Sequence, residues 1–282
     1  MPESAEKSWP LSHAAPLVQL ACRVLIRRCM TPHASTLVTL GIPGLALLVV
    51  ALVGIAILRF ADGRRAAWYA LGAGAWLLAT GVLGQTGFLA GGEGLPPRFV
   101  VVMVPMFALP IWLGLSRLGG QLASAPFALL IGFQAFRLPL ELVMHQAALE
   151  GTMPIQMTYT GLNFDIVTGG TAAVVALLAA RGLAPRWLLL AWNALGTLLL
   201  VAILIIAVAS LPAFAAFGRD PAQVNTWVAY FPFVWLPAGL VSAAVLGHVL
   251  LWRRLLACGM RGRDFEAQAV QSRGGGSVVG HG

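Results

Sequence analysis

The sequence predicts an all-α integral membrane protein, a bundle of seven transmembrane helices, and three observations carry that prediction. Of 282 residues, 59% are apolar and only 10% charged, against roughly 45–50% and about 25% in soluble domains. Too little polar surface remains to cover a water-soluble globule, and the mean hydropathy of +0.85 agrees. The apolar residues also fall into seven separate windows, each suited to the roughly 20 helical residues that a hydrocarbon core about 30 Å thick requires. Disordered, collagen-like and disulfide-scaffold classes are excluded by the same composition. Cys22, Cys29 and Cys258 form no CxxC pair and imply neither a disulfide framework nor a structural zinc site.

The windows are residues 36–58, 66–90, 98–116, 126–147, 164–180, 187–211 and 228–251. The second carries Gly74, Gly81, Gly84 and Gly87, which suit close helix packing. The fifth is short and opens on Asp165. Turn chemistry separates the windows at Asp62-Gly63, Pro96-Pro97, Gly119-Gly120, Pro185, and Pro212 with Pro221. Trp68, Trp187, Trp227, Tyr230 and Trp252 lie near window ends, where amphipathic rings prefer the headgroup level. No internal repeat is visible.

Charge gives an orientation. The net charge is +8, and Lys7 is the only lysine. Arg59, Arg64, Arg65, Arg117, Arg181, Arg186, Arg253, Arg254, Arg261, Arg263 and Arg273 fall on one side; from residue 35 onward only Arg98 and Arg219 fall on the other. This is a topology signal rather than a nucleic-acid footprint, and the positive-inside rule sets the N-terminus outside and the C-terminus in the cytoplasm. Residues 1–34, with Lys7, Arg23, Arg27 and Arg28, oppose that orientation. A surface-lying helix or translation from Met30 would each resolve the conflict. A signal peptide fits poorly, because Glu3 and Glu6 precede the apolar stretch and Arg23 interrupts it. Residues 35–252 form the expected membrane domain and 253–282 a basic, then Gly-rich, cytoplasmic tail, expected to be unstructured from Arg261 onward.

The fourth window holds the chemistry. At 100° per residue, Gln134, Arg137, Glu141 and His145 fall within an arc of about 80° on an otherwise apolar helix. Ionisable residues at a helix centre cost about 2.5–3.5 kcal/mol each on insertion scales, so they face a bundle interior or a wet cavity and need partners. Arg137 and Glu141 are spaced i,i+4, but with the cation first, the weaker order for an intrahelical pair. Partners on other helices are therefore expected. Pro139 also leaves the Ala135 carbonyl without its helical donor. Thr158, Tyr159, Thr160, Asn163, Asp165 and Thr168 follow, with Asn163 or Thr160 able to cap the fifth helix. Asp165 enters at the depth of His145. Asn225 and Tyr230 reach the same outer level, and an outward-opening polar pocket is the result. A purely structural ion-pair network is the alternative use of the same residues.

The run Phe136-Arg137, Glu141, His145, with Met157-Thr158-Tyr159-Thr160-Gly161-Leu162-Asn163-Phe164-Asp165, resembles an uncharacterised family of bacterial polytopic inner-membrane proteins. Trp192-Asn193 and Tyr230-Phe231-Pro232-Phe233-Val234-Trp235-Leu236-Pro237 are similar to it too. The resemblance covers roughly residues 66–251. It implies a bacterial inner-membrane protein of about seven spans and brings no activity with it.

Several chemistries can be weighed directly. Retinal is excluded, because its Schiff base needs a lysine inside the bundle and Lys7 lies outside it. Bis-histidine haem is disfavoured: His145 is expected near the outer end of span four and His248 near the inner end of span seven. A metal, if bound, would use Glu141, His145 and Asp165, with an open position for a lipid-directed hydroxide; no HExxH supports it. No GxSxG or phosphate-binding Gly loop is present. The leading expectation is binding or transport of a small solute, anionic by virtue of Arg137. Gln134, Arg137, Glu141, His145, Asn163, Asp165 and Tyr230 are the ligand-binding set, with Glu141 and His145 as the proton-responsive pair. A metal-dependent lipid-modifying enzyme and a non-catalytic accessory subunit are the alternatives. The expected partner is the lipid bilayer, with a possible small solute and no nucleic acid; oligomeric state stays open. The inner half of the bundle offers only Trp192, Asn193 and His248 to continue a polar path.

Overall fold

A computed structural model describes residues 34–61, 65–90 and 98–274, with side chains at 65, 100–102 and 259–274 left aside. The expectations for residues 1–33, for the turns at Asp62-Gly63 and Pro96-Pro97, and for the end of the tail lie outside the described residues. The described residues form helices joined by turns and irregular loops, and no β-strand occurs among them. In chain order the helices are α1 (Thr36–Phe60), α2 (Arg65–Gln85), α3 (Arg98–Leu115), α4 (Arg117–Leu122), α5 (Phe127–Gly132), α6 (Arg137–Leu149), α7 (Ile166–Ala180), α8 (Arg186–Ala209) and α9 (Ser242–Gly274). A 3-10 turn, Phe133–Phe136, joins α5 to α6, and a π-helical stretch, Leu236–Val241, leads into α9.

Five helical stretches are long and apolar enough to cross a membrane: Thr36–Phe60, Ala66–Gln85, Phe127–Leu149, Arg186–Ala209 and Leu236–Cys258. Two further apolar stretches, Met103–Leu115 and Ile166–Ala180, are shorter.

Local sequence explains the boundaries. Ser35 caps α1, its hydroxyl accepting the Val38 N–H. The Ser35 N–H in turn donates to Glu150 Oε2 at 2.8 Å, tying the start of α1 to the end of α6. Pro126 precedes α5 and Pro185 precedes α8, each with the extended backbone angle of a residue just outside a helix. Pro139 supplies no N–H to the Ala135 carbonyl, and the helix tightens into its 3-10 turn on that side. There the Arg137 N–H bonds the Gln134 carbonyl.

The seventh window is displaced. Residues 228–235 are apolar enough to read as helix, but the backbone there is a 3-10 turn at Trp227–Ala229 followed by non-helical chain through Pro232. The helical stretch starts at Leu236, about two turns later than hydropathy suggests. α9 also runs on to Gly274, so residues 261–274 are helical rather than the expected unstructured tail.

α5 and α6 pack along α7, α3 and α8 flank α9, and α1 lies between α2 and α6. One apolar core surrounds Met106, Met144, Met157, Trp227 and Leu240; a second surrounds Ile131, Trp192, Leu251 and Leu255. In the second window, Gly81 lies against the Trp235 indole and Gly84 against the Phe231 backbone, while Gly74 faces open space.

Candidate functional site

Arg137 lies near the middle of Phe127–Leu149, and His248 near the middle of Leu236–Cys258. The later start of the last helical stretch is what brings the two level, so His248 is not near an inner end. α7 supplies the third group. Its 15 residues reach only about 22 Å at about 1.5 Å per residue, less than a core of roughly 30 Å. Residues 151–165 precede it as largely irregular backbone, in which Met157, Thr158 and Asn163 are at most 1% exposed while Ile155, Leu162 and Phe164 are exposed.

Gly169 sets the approach of α7. A Cβ there would run into the Arg137 carbonyl carbon and the Leu138 nitrogen, so only glycine lets the two helix backbones touch. Asp165 lies one turn before Gly169 on the same face, and its Oδ2 forms a salt bridge with the Arg137 guanidinium. Arg137 Nη1 lies 2.8 Å from His248 Nε2. Gly196 leaves the room His248 needs, since a Cβ there would come within 2.6 Å of the imidazole Cε1.

The hydrogen bonds assign the tautomer. Guanidinium only donates, so His248 Nε2 accepts. Nδ1 then carries the proton and donates to Asn193 Oδ1, 2.7 Å away. His248 is neutral, held between a cation and an amide. The chain Asp165–Arg137–His248–Asn193 thus joins α7, α6, α9 and α8.

Glu141, 2% exposed, is not paired with Arg137. Its two carboxyl oxygens each lie 2.9 Å from Asn163 Nδ2, which donates to them. Asn163 Oδ1 accepts the Asp165 N–H, so Asn163 links the Glu141 carboxyl to the start of α7 rather than capping the helix proper. Two carboxyl groups and one guanidinium share the cluster, and electrical neutrality there requires one further proton or cation.

Arg137, Glu141 and Asp165 form the polar wall of a cavity of about 60 Å³, room for several water molecules. The remaining wall is almost wholly apolar: Met103 and Phe107 from α3, Leu140 and Met144 from α6, Leu200 and Leu204 from α8, and Leu236, Pro237 and Leu240 from the π-helical stretch. Asn225 also lines it. π-helical turns recur at functional sites.

The structure therefore gathers three members of the expected set at the cavity, with Asn163 behind them. The other three stand elsewhere. Gln134 Nε2 donates to the Ala244 carbonyl and fills the notch at Gly247, locking α5–α6 to α9. His145, on α6, turns toward the loop that follows the helix, its ring 4.5 Å from that of Tyr159 and its Nδ1 3.4 Å from the Thr160 hydroxyl. Tyr230 is half-buried against the core and does not line the cavity. Glu141, His145 and Asp165 are not gathered as a metal triad, and no group of three His, Cys, Asp or Glu side chains able to hold a metal occurs among the described residues. Sequence reasoning undervalued His248 and Asn193. The available signal was two polar residues in apolar runs, each a functional candidate by default.

No family model matches the chain, and neither a curated protein nor a solved structure matches it.

Proposed function

We propose that the chain is a multi-pass protein of a bacterial inner membrane that binds and moves a small solute through the cavity beside Arg137, Glu141 and Asp165. The single observation that carries this reading is the contact of three buried charged side chains with one cavity, where a purely architectural ion-pair network would be sealed by neighbouring helices. The reading keeps seven spans, with α3 and α7 as the two short ones, the N-terminus outside and the C-terminus inside. It also keeps the kinship with bacterial polytopic membrane proteins that the motifs of residues 136–165 and 230–237 suggest. Glu141 is the proton-responsive group: it touches the cavity and holds one side-chain partner, whereas His145 is turned toward the outer loop. An anion, the class that Arg137 alone suggests, is one arm of the test.

That test is thermal unfolding of the purified protein against small carboxylates, phosphates, amines, alcohols and divalent metals at two pH values, beside Glu141→Gln. A ligand of the folded state raises the unfolding temperature by mass action. A shift seen in the wild type and lost in Glu141→Gln is the expected result. No shift with any compound would leave the cluster as architecture and favour the accessory-subunit alternative.

A further inference from the structure

The three charged side chains of the cavity wall each have partners in the protein. Arg137 donates to Asp165 and His248, Glu141 accepts from Asn163, and Asp165 accepts from Arg137 and the Thr168 hydroxyl. These contacts leave the choice of solute to the rest of the wall. That remainder is apolar apart from Asn225, whose Nδ2 donates to the Ala207 carbonyl at 3.2 Å. An apolar wall offers water few partners, and hydrocarbon is the filling that gains most from it.

Burial shows where the cavity opens. Met103 and Phe107 on α3, Leu204 and Ala207 on α8, and Val241 of the π-helical stretch are half-buried, and every other lining residue is buried. α3 and α8 each pack on α9 but not closely on each other, so the half-buried rim marks a cleft between these two helices. Beside it, Val104 and Ile111 on α3 and Val201 and Ile205 on α8 are exposed and apolar, the surface that such helices present to lipid. The cleft therefore faces hydrocarbon, and a chain of hydrocarbon is what the surrounding lipid supplies.

Resting on the cavity reading above, we propose that the solute enters sideways from the bilayer through the cleft between α3 and α8, and that the part of it held in the cavity is a hydrocarbon chain. The chain lies along the apolar wall, and Arg137, Glu141 and Asp165 meet only its inner end. The chemistry of that end is read by the panel of small compounds above; the chain and its route are read separately.

The experiment uses the full chain in phosphatidylcholine nanodiscs and two sets of probes with matched heads: dodecanol, dodecylamine and dodecanoate against ethanol, ethylamine and acetate. Thermal unfolding is followed for the wild type, for Met103→Trp and Ala207→Phe, which narrow the cleft from its two rims, and for Val104→Phe, at an exposed position beside it. The expected result is a rise of several degrees with at least one twelve-carbon probe and none with its two-carbon counterpart. That rise is lost in Met103→Trp and Ala207→Phe and kept in Val104→Phe. The rim variants lie on different helices, so one that fails to fold leaves the other as the reading. If a two-carbon probe matches its twelve-carbon counterpart, the hydrocarbon inference falls while the cavity reading stands. If the twelve-carbon rise persists in the rim variants, entry through the cleft falls. If no twelve-carbon probe shifts the wild type, the whole inference falls, and the panel above decides the cavity reading on its own.

Discussion

Arg137 owes its location to two partners on other helices, and that dependence can be measured. Replacing it with Leu leaves the Asp165 carboxylate buried without its cation, which typically costs about 3–5 kcal/mol. Pairing Arg137→Leu with Asp165→Leu should recover most of that loss, because removing both charges removes the uncompensated one. Equilibrium unfolding of the two single variants and the double variant gives the coupling directly; additive losses would mean that the two residues do not act as a pair. Outside the spans, Glu150 has its own signature. The Ser35 N–H holds its carboxyl below the ordinary value of 4.5. Its stabilising contribution is therefore present above about pH 4.5 and is lost as pH falls through the lowered folded-state value. Glu150→Gln should flatten the acid limb of the stability–pH curve and leave the limb above pH 6 unchanged in slope. The charges on α6 were legible in the sequence because an ionisable residue in an apolar run is costly and conspicuous. Partners on other helices were expected, with Asp165 among the residues grouped with Arg137, but that His248 is one of them was not legible, because an i,i+4 spacing describes one helix and says nothing about which neighbour leans in.

At the scale of the element, one glycine governs the junction of α6 and α7. Gly169→Ala should destabilise by about 1–3 kcal/mol through overpacking against the α6 backbone and weaken the Arg137–Asp165 pair with it. Gly170 supplies the control. A Cβ there meets nothing within 4 Å, so Gly170→Ala should be neutral or stabilise by up to about 1 kcal/mol through helix propensity. Equal effects at the two positions would refute the close backbone contact. All seven apolar windows contain a helix, since hydropathy over about 20 residues reports burial well. Hydropathy failed where apolar chain is not helical. Residues 228–235, with Pro232 inside and Pro237 just beyond, are apolar and irregular, and this moved His248 by two turns in the expected map. His145 went astray for a related reason: Tyr159, which holds it, comes from a loop whose path no periodicity encodes.

Across the whole molecule, the arrangement of arginines makes the orientation testable. In a background with Cys22, Cys29 and Cys258 replaced by serine, Leu183→Cys, between Arg181 and Arg186, should resist an impermeant thiol reagent added to intact cells. Ala222→Cys, between α8 and the π-helical stretch, should react. Both positions are exposed, so failure to react reports sidedness rather than burial, and the reverse pattern would invert the topology. The apolar helices were visible in composition, and a polar pocket around Arg137, Glu141 and Asp165 was expected; the apolar wall of the cavity was not. It arises where Met103 and Phe107, Leu200 and Leu204, and Leu236 to Leu240 come together from three distant parts of the chain, and no local pattern announces that meeting.

The claim that Glu141 belongs to a binding site rather than to the scaffold is tested most directly by the ligand-free stability of Glu141→Gln. A carboxyl with one side-chain partner, in a cluster already rich in carboxyl groups, adds little to the fold, and residues retained for function often cost stability. The unfolding temperature of Glu141→Gln should equal or exceed that of the wild type. A fall of several degrees would contradict the claim and return Glu141 to the architecture of the bundle.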